Sequence, residues 1–137
     1  MLSACVGIPG DEFQQVPPDF MAAVEATDGQ FMNRNADAMG AIITEDFSGW
    51  SVTEEGPMVR VQGRAQMVQM LSMFFEKTNW VDSKTFMLGM VDNILIQVED
   101  DTYETKTETS TVRTLNLYEF KDGKRWRNWK FFPVENH

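Results

Sequence analysis

Apolar residues recur at helical spacing in the first half of the chain and at alternate positions in the second, and that change of period sets the expected fold. Phe20, Val24, Thr27 and Phe31 share one helical face over 18–31. Pro17-Pro18-Asp19 opens that helix, since proline suits a first turn. Asn33-Arg34-Asn35 interrupts the pattern, and Asn35 is placed to cap a second helix over 36–45 that turns Met39, Ile42 and Ile43 inward. The stretch 47–53, with Phe47, Trp50 and Val52, reads as a strand, and Glu55-Gly56-Pro57 as a turn. Gly63 precedes a third helix over 64–77, whose apolar stripe is Met67, Met70, Leu71, Phe74 and Phe75.

From there the period is two. Strands are expected over 84–91, 94–99, 103–109, 111–120 and 125–132, with turns at Asp92-Asn93, Asp100-Asp101 and Lys121-Asp122-Gly123-Lys124. Residues 1–16 read as a flexible arm and 17–137 as one domain, with no internal repeat. Helices followed by successive antiparallel strands give an α+β class, three helices packed on one face of a strongly curved sheet. Val112, Tyr118 and Phe120 share one parity of the 111–120 strand, and Leu115 and Leu117 the other, so both sheet faces are apolar. A monomer rarely leaves such a face uncovered, and a homodimer through the outer sheet face is expected.

Composition narrows the chemistry. The chain has 137 residues, a hydrophobic share of 42% and a formal charge of −9, which suits one globular domain and disfavours anionic membranes and nucleic acid. The basic cluster Lys121, Lys124, Arg125, Arg127 and Lys130 alternates with Trp126 and Trp129, but a strand divides it between two faces. No apolar run approaches the roughly 18–20 residues of a membrane-spanning helix. With Cys5 the only cysteine and His137 the only histidine, a disulfide, a cysteine- or histidine-based metal site and a histidine triad are all unexpected. No cofactor is implied. Leu2-Ser3-Ala4-Cys5 matches the end of a bacterial lipoprotein signal without its charged and apolar regions. Two compartments stay open: the cytoplasm, or the periplasm as a lipoprotein if the signal has been cut.

The order helix, helix, strand, helix, sheet resembles the nuclear-transport-factor-two-like superfamily over roughly 18–134, the group with ketosteroid isomerases, polyketide-cyclase-like (SnoaL-like) proteins and limonene epoxide hydrolases. The resemblance is carried by Asn35-Ala36-Asp37-Ala38, Glu45-Asp46-Phe47 and Val61-Gln62-Gly63-Arg64. Its strongest part runs from Leu117 to Lys124, with Trp126, Trp129, Phe131 and Phe132 beyond it. It implies a cystatin-like cone, an α+β barrel, closed at one end by helices around a small-molecule pocket. Fold alone does not imply function. The isomerase base position reads Ser51, its acid position Asn116, and its helix-one tyrosine falls near Thr27. The epoxide-hydrolase aspartate of the last strand reads Lys130, and residues 103–107 lack its Arg-x-Asp pattern. Both mechanisms are excluded at those positions.

Parity places Trp126, Asn128, Lys130 and Phe132 on one side of the last strand, which the resemblance turns toward the pocket with Asn116 and Tyr118. Lys130, Asn116 and Tyr118 are the catalytic candidates. A desolvated lysine can serve as a base or Schiff-base nucleophile, and amide and phenol groups can donate to an oxyanion. The plainer alternative pairs Lys130 with a carboxylate such as Asp46 or Glu54 and makes Tyr118 a core ring. Trp50, Met67, Phe74, Met87, Trp126, Asn128 and Phe132 are candidate ligand-binding residues, set against a reading as ordinary core. No metal site is expected, because Glu99-Asp100-Asp101 lacks the ligand spacing of a calcium loop and reads as a turn. Three functions are compatible with this pattern. The first is a binder of a small, mostly apolar molecule with one or two oxygens. The second is an isomerase, polyketide-cyclase-like or dehydratase-like enzyme acting on a small carbonyl compound. The third is a protein-interaction module, for which Trp80 and Trp129 are the residues of interest if they are exposed.

Overall fold

A computed structural model describes residues 15–134. Cys5 with the Leu2-Ser3-Ala4-Cys5 pattern, His137 and all but the end of the expected arm lie outside the described residues. Helix α1, Pro18–Met32, starts on proline and buries Val24 and Thr27. It ends at Asn33, and Arg34 takes a left-handed turn at φ 58°. Asn35 Oδ1 then accepts from the Ala38 N–H at 3.0 Å and caps α2, Ala36–Ala41.

Helix α2 is shorter than the expected 36–45, because Ile42, Ile43 and Thr44 are β-branched and suited to extended backbone. Strand β1, Ile43–Thr53, therefore begins earlier than expected. Strand β2, Gly56–Gln62, takes in part of the expected turn and the stretch 58–62, for which the pattern predicts no element. It is an edge strand that buries only Val61, so alternation is weak, and an edge tolerates Pro57. Helix α3, Arg64–Lys77, follows Gly63 at φ +90° as expected.

Strands β3, Trp80–Val91, β4, Ile94–Glu104, β5, Thr109–Lys121, and β6, Lys124–Phe131, complete the chain. The turn expected at Asp100-Asp101 is absent, because β4 runs straight through it and the chain turns instead between Thr105 and Glu108. Each acidic side chain has a partner on its own face. Asp100 accepts two hydrogen bonds from Arg113 across the outer face, at 2.7 and 2.8 Å, while Asp101 points inward to Lys130.

The sheet order is β2-β1-β6-β5-β4-β3. All neighbours are antiparallel except β1 and β6, so the curved sheet is mixed rather than wholly antiparallel. A parallel pair has no local turn to announce it in sequence. The β5–β6 hairpin turns through Asp122 and Gly123, both at positive φ, which is the geometry asparagine, aspartate and glycine favour. One core cluster joins Val24, Met90, Leu95 and Tyr118, with Val16, Phe20, Met87 and Phe120 against it. A second joins Ile43, Phe47 and Val61, with Met67 and Met70. Gly40 lets α2 lie on α3, since a Cβ there would stand 2.5 Å from Val68 Cγ2. Between helices and sheet the two clusters leave a space open.

Candidate functional site

That space is a cavity of about 250 Å³, just below the usual range for ligand pockets, which suits a small molecule. One wall is apolar and comes mainly from the helices and the start of β1: Phe31, Met39, Phe47, Met67, Met70 and Phe74. The opposite wall is polar and comes mainly from the sheet, with Glu99, Asp101, Tyr118, Arg125, Asn128 and Lys130. Asp28 of α1, Arg60 of β2, and Ser83 and Thr85 of β3 also line the cavity.

The polar wall is a connected network. The Tyr118 hydroxyl donates to Glu99 Oε2 at 2.5 Å, and Gln97 Nε2 donates to the same oxygen at 3.0 Å. Lys130 Nζ stands 3.6 Å from Glu99 Oε1 and 3.4 Å from Asp101 Oδ2. Ser83 donates to Asp101 and accepts from Trp80 Nε1 at 2.8 Å. Burial, and then the Glu99 charge, hold the Tyr118 phenol well above its ordinary value, so it is a donor and not a phenolate at neutral pH.

The second polar group is looser. Thr85 Oγ1 donates to Asp28 Oδ2 at 3.1 Å, while the nearest Arg125 nitrogen is 3.8 Å from Asp28 Oδ1. The Arg125 guanidinium lies 4.1 Å from the Tyr118 ring centroid, a cation–π distance. Arg60 on the edge strand is an exposed residue that also lines the cavity, with Nη2 at 3.5 Å from Asn128 Oδ1. Burial of its guanidinium lowers its pKa from the usual arginine value.

Burial also raises the Asp28 pKa. Arg125 and the Thr85 hydrogen bond oppose that shift, and Glu99 and Glu25 add to it. A carboxyl raised in the folded state binds more protons there than in the unfolded chain. Its contribution to stability is therefore full below the ordinary 3.8 and is lost as pH rises through the folded value. Asp28→Asn removes that titration, so its stability relative to the native chain is expected to climb with pH above 3.8. Urea melts at several pH values check this, and a difference independent of pH would refute it.

The structure gathers part of the sequence-predicted set. Lys130, Tyr118, Asn128, Met67 and Phe74 line the cavity. Asn116 is wholly buried behind the polar wall, where it donates to Thr114 Oγ1 at 3.0 Å and accepts from Asn128 at 3.3 Å. Met87 packs on the first core cluster instead. Trp50 stacks on Trp129 on the outer face, with centroids 4.9 Å apart. Trp126 lies between Lys121 and Arg127, because a bulge at Glu119/Phe120 shifts the register and brings Arg125 inward. Phe132 follows the end of β6 beside Leu115, Phe131 and Pro133. Lys130 pairs with Glu99 and Asp101, not with Asp46 or Glu54. Of the two tryptophans an interaction module would need exposed, Trp80 is buried and Trp129 is half-buried with Nε1 donating to Glu119.

Sequence reasoning missed Glu99, Asp101, Asp28, Arg60 and Arg125. The signal for the first two is the alternation Leu95, Gln97, Glu99, Asp101, Tyr103, which is visible once β4 is read as continuous. Asp28 adjoins Thr27, the position already aligned with a family site. No clue to the inward turn of Arg125 precedes knowledge of the bulge.

No family model matches the chain, and no curated protein matches it significantly. Solved structures do resemble it. An LEH-like epoxide hydrolase from M. tuberculosis superposes with a TM-score of 0.65 at 15% identity, over 83% of this chain and 82% of that one. An NTF-2-like protein of unknown function from Burkholderia xenovorans gives 0.62 at 14% identity, over 86% and 85%. An uncharacterized cystatin-fold protein from Novosphingobium aromaticivorans gives 0.63 at 15% identity, over 81% and 96%. At these identities the likeness shows the fold.

Proposed function

We propose that this chain, which has the nuclear-transport-factor-two-like cone fold, binds a small amphipathic molecule inside the cone. The observation that carries the reading is the cavity's pair of unlike walls, methionine and phenylalanine facing a network of charged and amide groups. An apolar body buries itself against the flexible methionines, and its oxygens meet the polar wall. Three carboxylates, Asp28, Glu99 and Asp101, line the cavity.

The outer sheet face supports self-association as a homodimer. Trp50, Trp129, Leu117 and Ile96 form one apolar row across four strands, and Val52, Phe131, Leu115 and Val98 form the next. Phe86 and Leu88 beyond them are about half exposed, at 46% and 55%. Nile red titration and native mass spectrometry test both parts. The dye is expected to bind the native chain, on a species of twice the chain mass, and Met67→Trp is expected to weaken binding at least about tenfold by filling the cavity. Dye binding unaffected by Met67→Trp would sink the cavity reading, and a monomer at micromolar concentration would sink the dimer.

One observation favours an enzyme as the second reading. Asp28 is a cavity carboxyl with a raised pKa next to a guanidinium, an arrangement suited to proton transfer on a small carbonyl compound. The epoxide hydrolase among the similar structures is consistent with chemistry in such a cone. Isomerase, cyclase or dehydratase turnover that survives Asp28→Asn would remove this residue from the reaction.

A further inference from the structure

We infer that the ligand of this cavity is the anion of a small apolar carboxylic acid, with its carboxylate on Arg125 and Arg60. The inference rests on the cavity reading above and names the ligand's charged group.

It follows from which charges in the cavity are already matched. Glu99 faces Lys130 and receives hydrogen bonds from Tyr118 and Gln97. Asp101 faces the same lysine and receives one from Ser83. The one ammonium faces both carboxylates, and neutral donors from Tyr118, Gln97 and Ser83 supply their remaining hydrogen bonds within the wall. The two guanidinium groups are not satisfied in that way. Arg125 is only 7% exposed, and its buried Nη2 has no hydrogen-bond partner among the described residues. Its nearest carboxylate oxygen, on Asp28, is 3.8 Å away, too far for a hydrogen bond. Asp28 moreover already receives a hydrogen bond from Thr85 at 3.1 Å, so it is held by another partner and does not close on the guanidinium. Arg60 has only an amide oxygen at 3.5 Å and no ion pair among the described residues.

A buried guanidinium with an unused N–H is costly, and the group that best satisfies it is a planar two-oxygen anion. One negative charge suits the site. A dianion such as a phosphate monoester would bring its second charge against Glu99 and Asp101 on the same wall. The remainder of the ligand is apolar, because the wall opposite the arginines is Phe31, Met39, Phe47, Met67, Met70 and Phe74.

The test compares two ligands of one shape, cyclohexanecarboxylate and cyclohexanecarboxamide, by isothermal titration at neutral pH, with Nile red displacement reporting occupancy of the cavity. The carboxylate is expected to bind the native chain roughly tenfold or more tighter than the amide. Arg125→Met and Arg60→Gln are expected to erase that preference. The comparison on the native chain stands even if a variant folds poorly. If the native chain binds Nile red in the cavity but takes the two ligands equally, or neither of them, the carboxylate assignment is overturned and the cavity reading stands. If none of the three binds, both fall.

Discussion

Trp80→Ala is expected to destabilise the chain by about 4 kcal/mol, the largest effect of any single substitution considered for this fold. Trp80 opens β3 directly after α3 and is 2% exposed. Its ring packs against Phe31 at 5.0 Å, Phe74 at 5.8 Å and Phe75 at 6.0 Å, which ties α1 and α3 to the sheet. The Arg34 guanidinium sits 4.7 Å from the ring centroid and donates to the Trp80 carbonyl at 3.0 Å, fixing the turn after α1 to the same residue. The indole N–H donates to Ser83, which holds Asp101 in the polar wall. Trp80→Phe keeps part of the ring packing and loses the indole donor, so it is expected to cost about 1–2 kcal/mol. Urea unfolding checks both. An alanine variant within about 1 kcal/mol of the native chain would show that the aromatic cluster does not hold helices to sheet.

The helices and hairpins were legible because each has a local cause. Proline at the start of α1, the Asn35 cap, the positive-φ glycine before α3 and the Asp122-Gly123 turn are short-range devices whose residue types name them. What was not legible depends on partners distant in sequence. The parallel pairing of β1 with β6 joins the first strand to the last and leaves no local mark. The edge strand β2 is too exposed to show alternation.

The candidate site was half legible for a related reason. Parity on β6 placed Asn128 and Lys130 correctly up to the bulge, and failed at Trp126 where the register shifts. Glu99 and Asp101 were read as part of a turn because adjacent acidic residues are poor strand formers. In the fold that cost is offset across the sheet, by Arg113 on one face and Lys130 on the other. The residues that break the local rule are those that build the polar wall, and a site is where such departures concentrate.

Lys130 is where that wall is most exposed to a test, and Lys130→Met is expected to cost about 3 kcal/mol. The side chains of Lys130, Glu99 and Asp101 are 20%, 12% and 11% exposed, so removing the ammonium leaves two largely desolvated carboxylates facing each other's field. The loss is mainly that repulsion and desolvation, and only in small part the two contacts, which at 3.4 and 3.6 Å are long. Neutralising the carboxylates should therefore recover most of it. The triple variant Lys130→Met, Glu99→Gln, Asp101→Asn is expected to lie nearer the native chain than Lys130→Met alone. A cycle between Lys130→Met and Glu99→Gln should show a coupling of about 1–3 kcal/mol. Additive effects in that cycle would mean that solvent screens the pair despite its burial. The same substitution makes the cavity more negative, so it should also weaken cyclohexanecarboxylate more than its amide. Stability and ligand preference moving together on one lysine would tie the fold's polar network to the charge that selects the ligand.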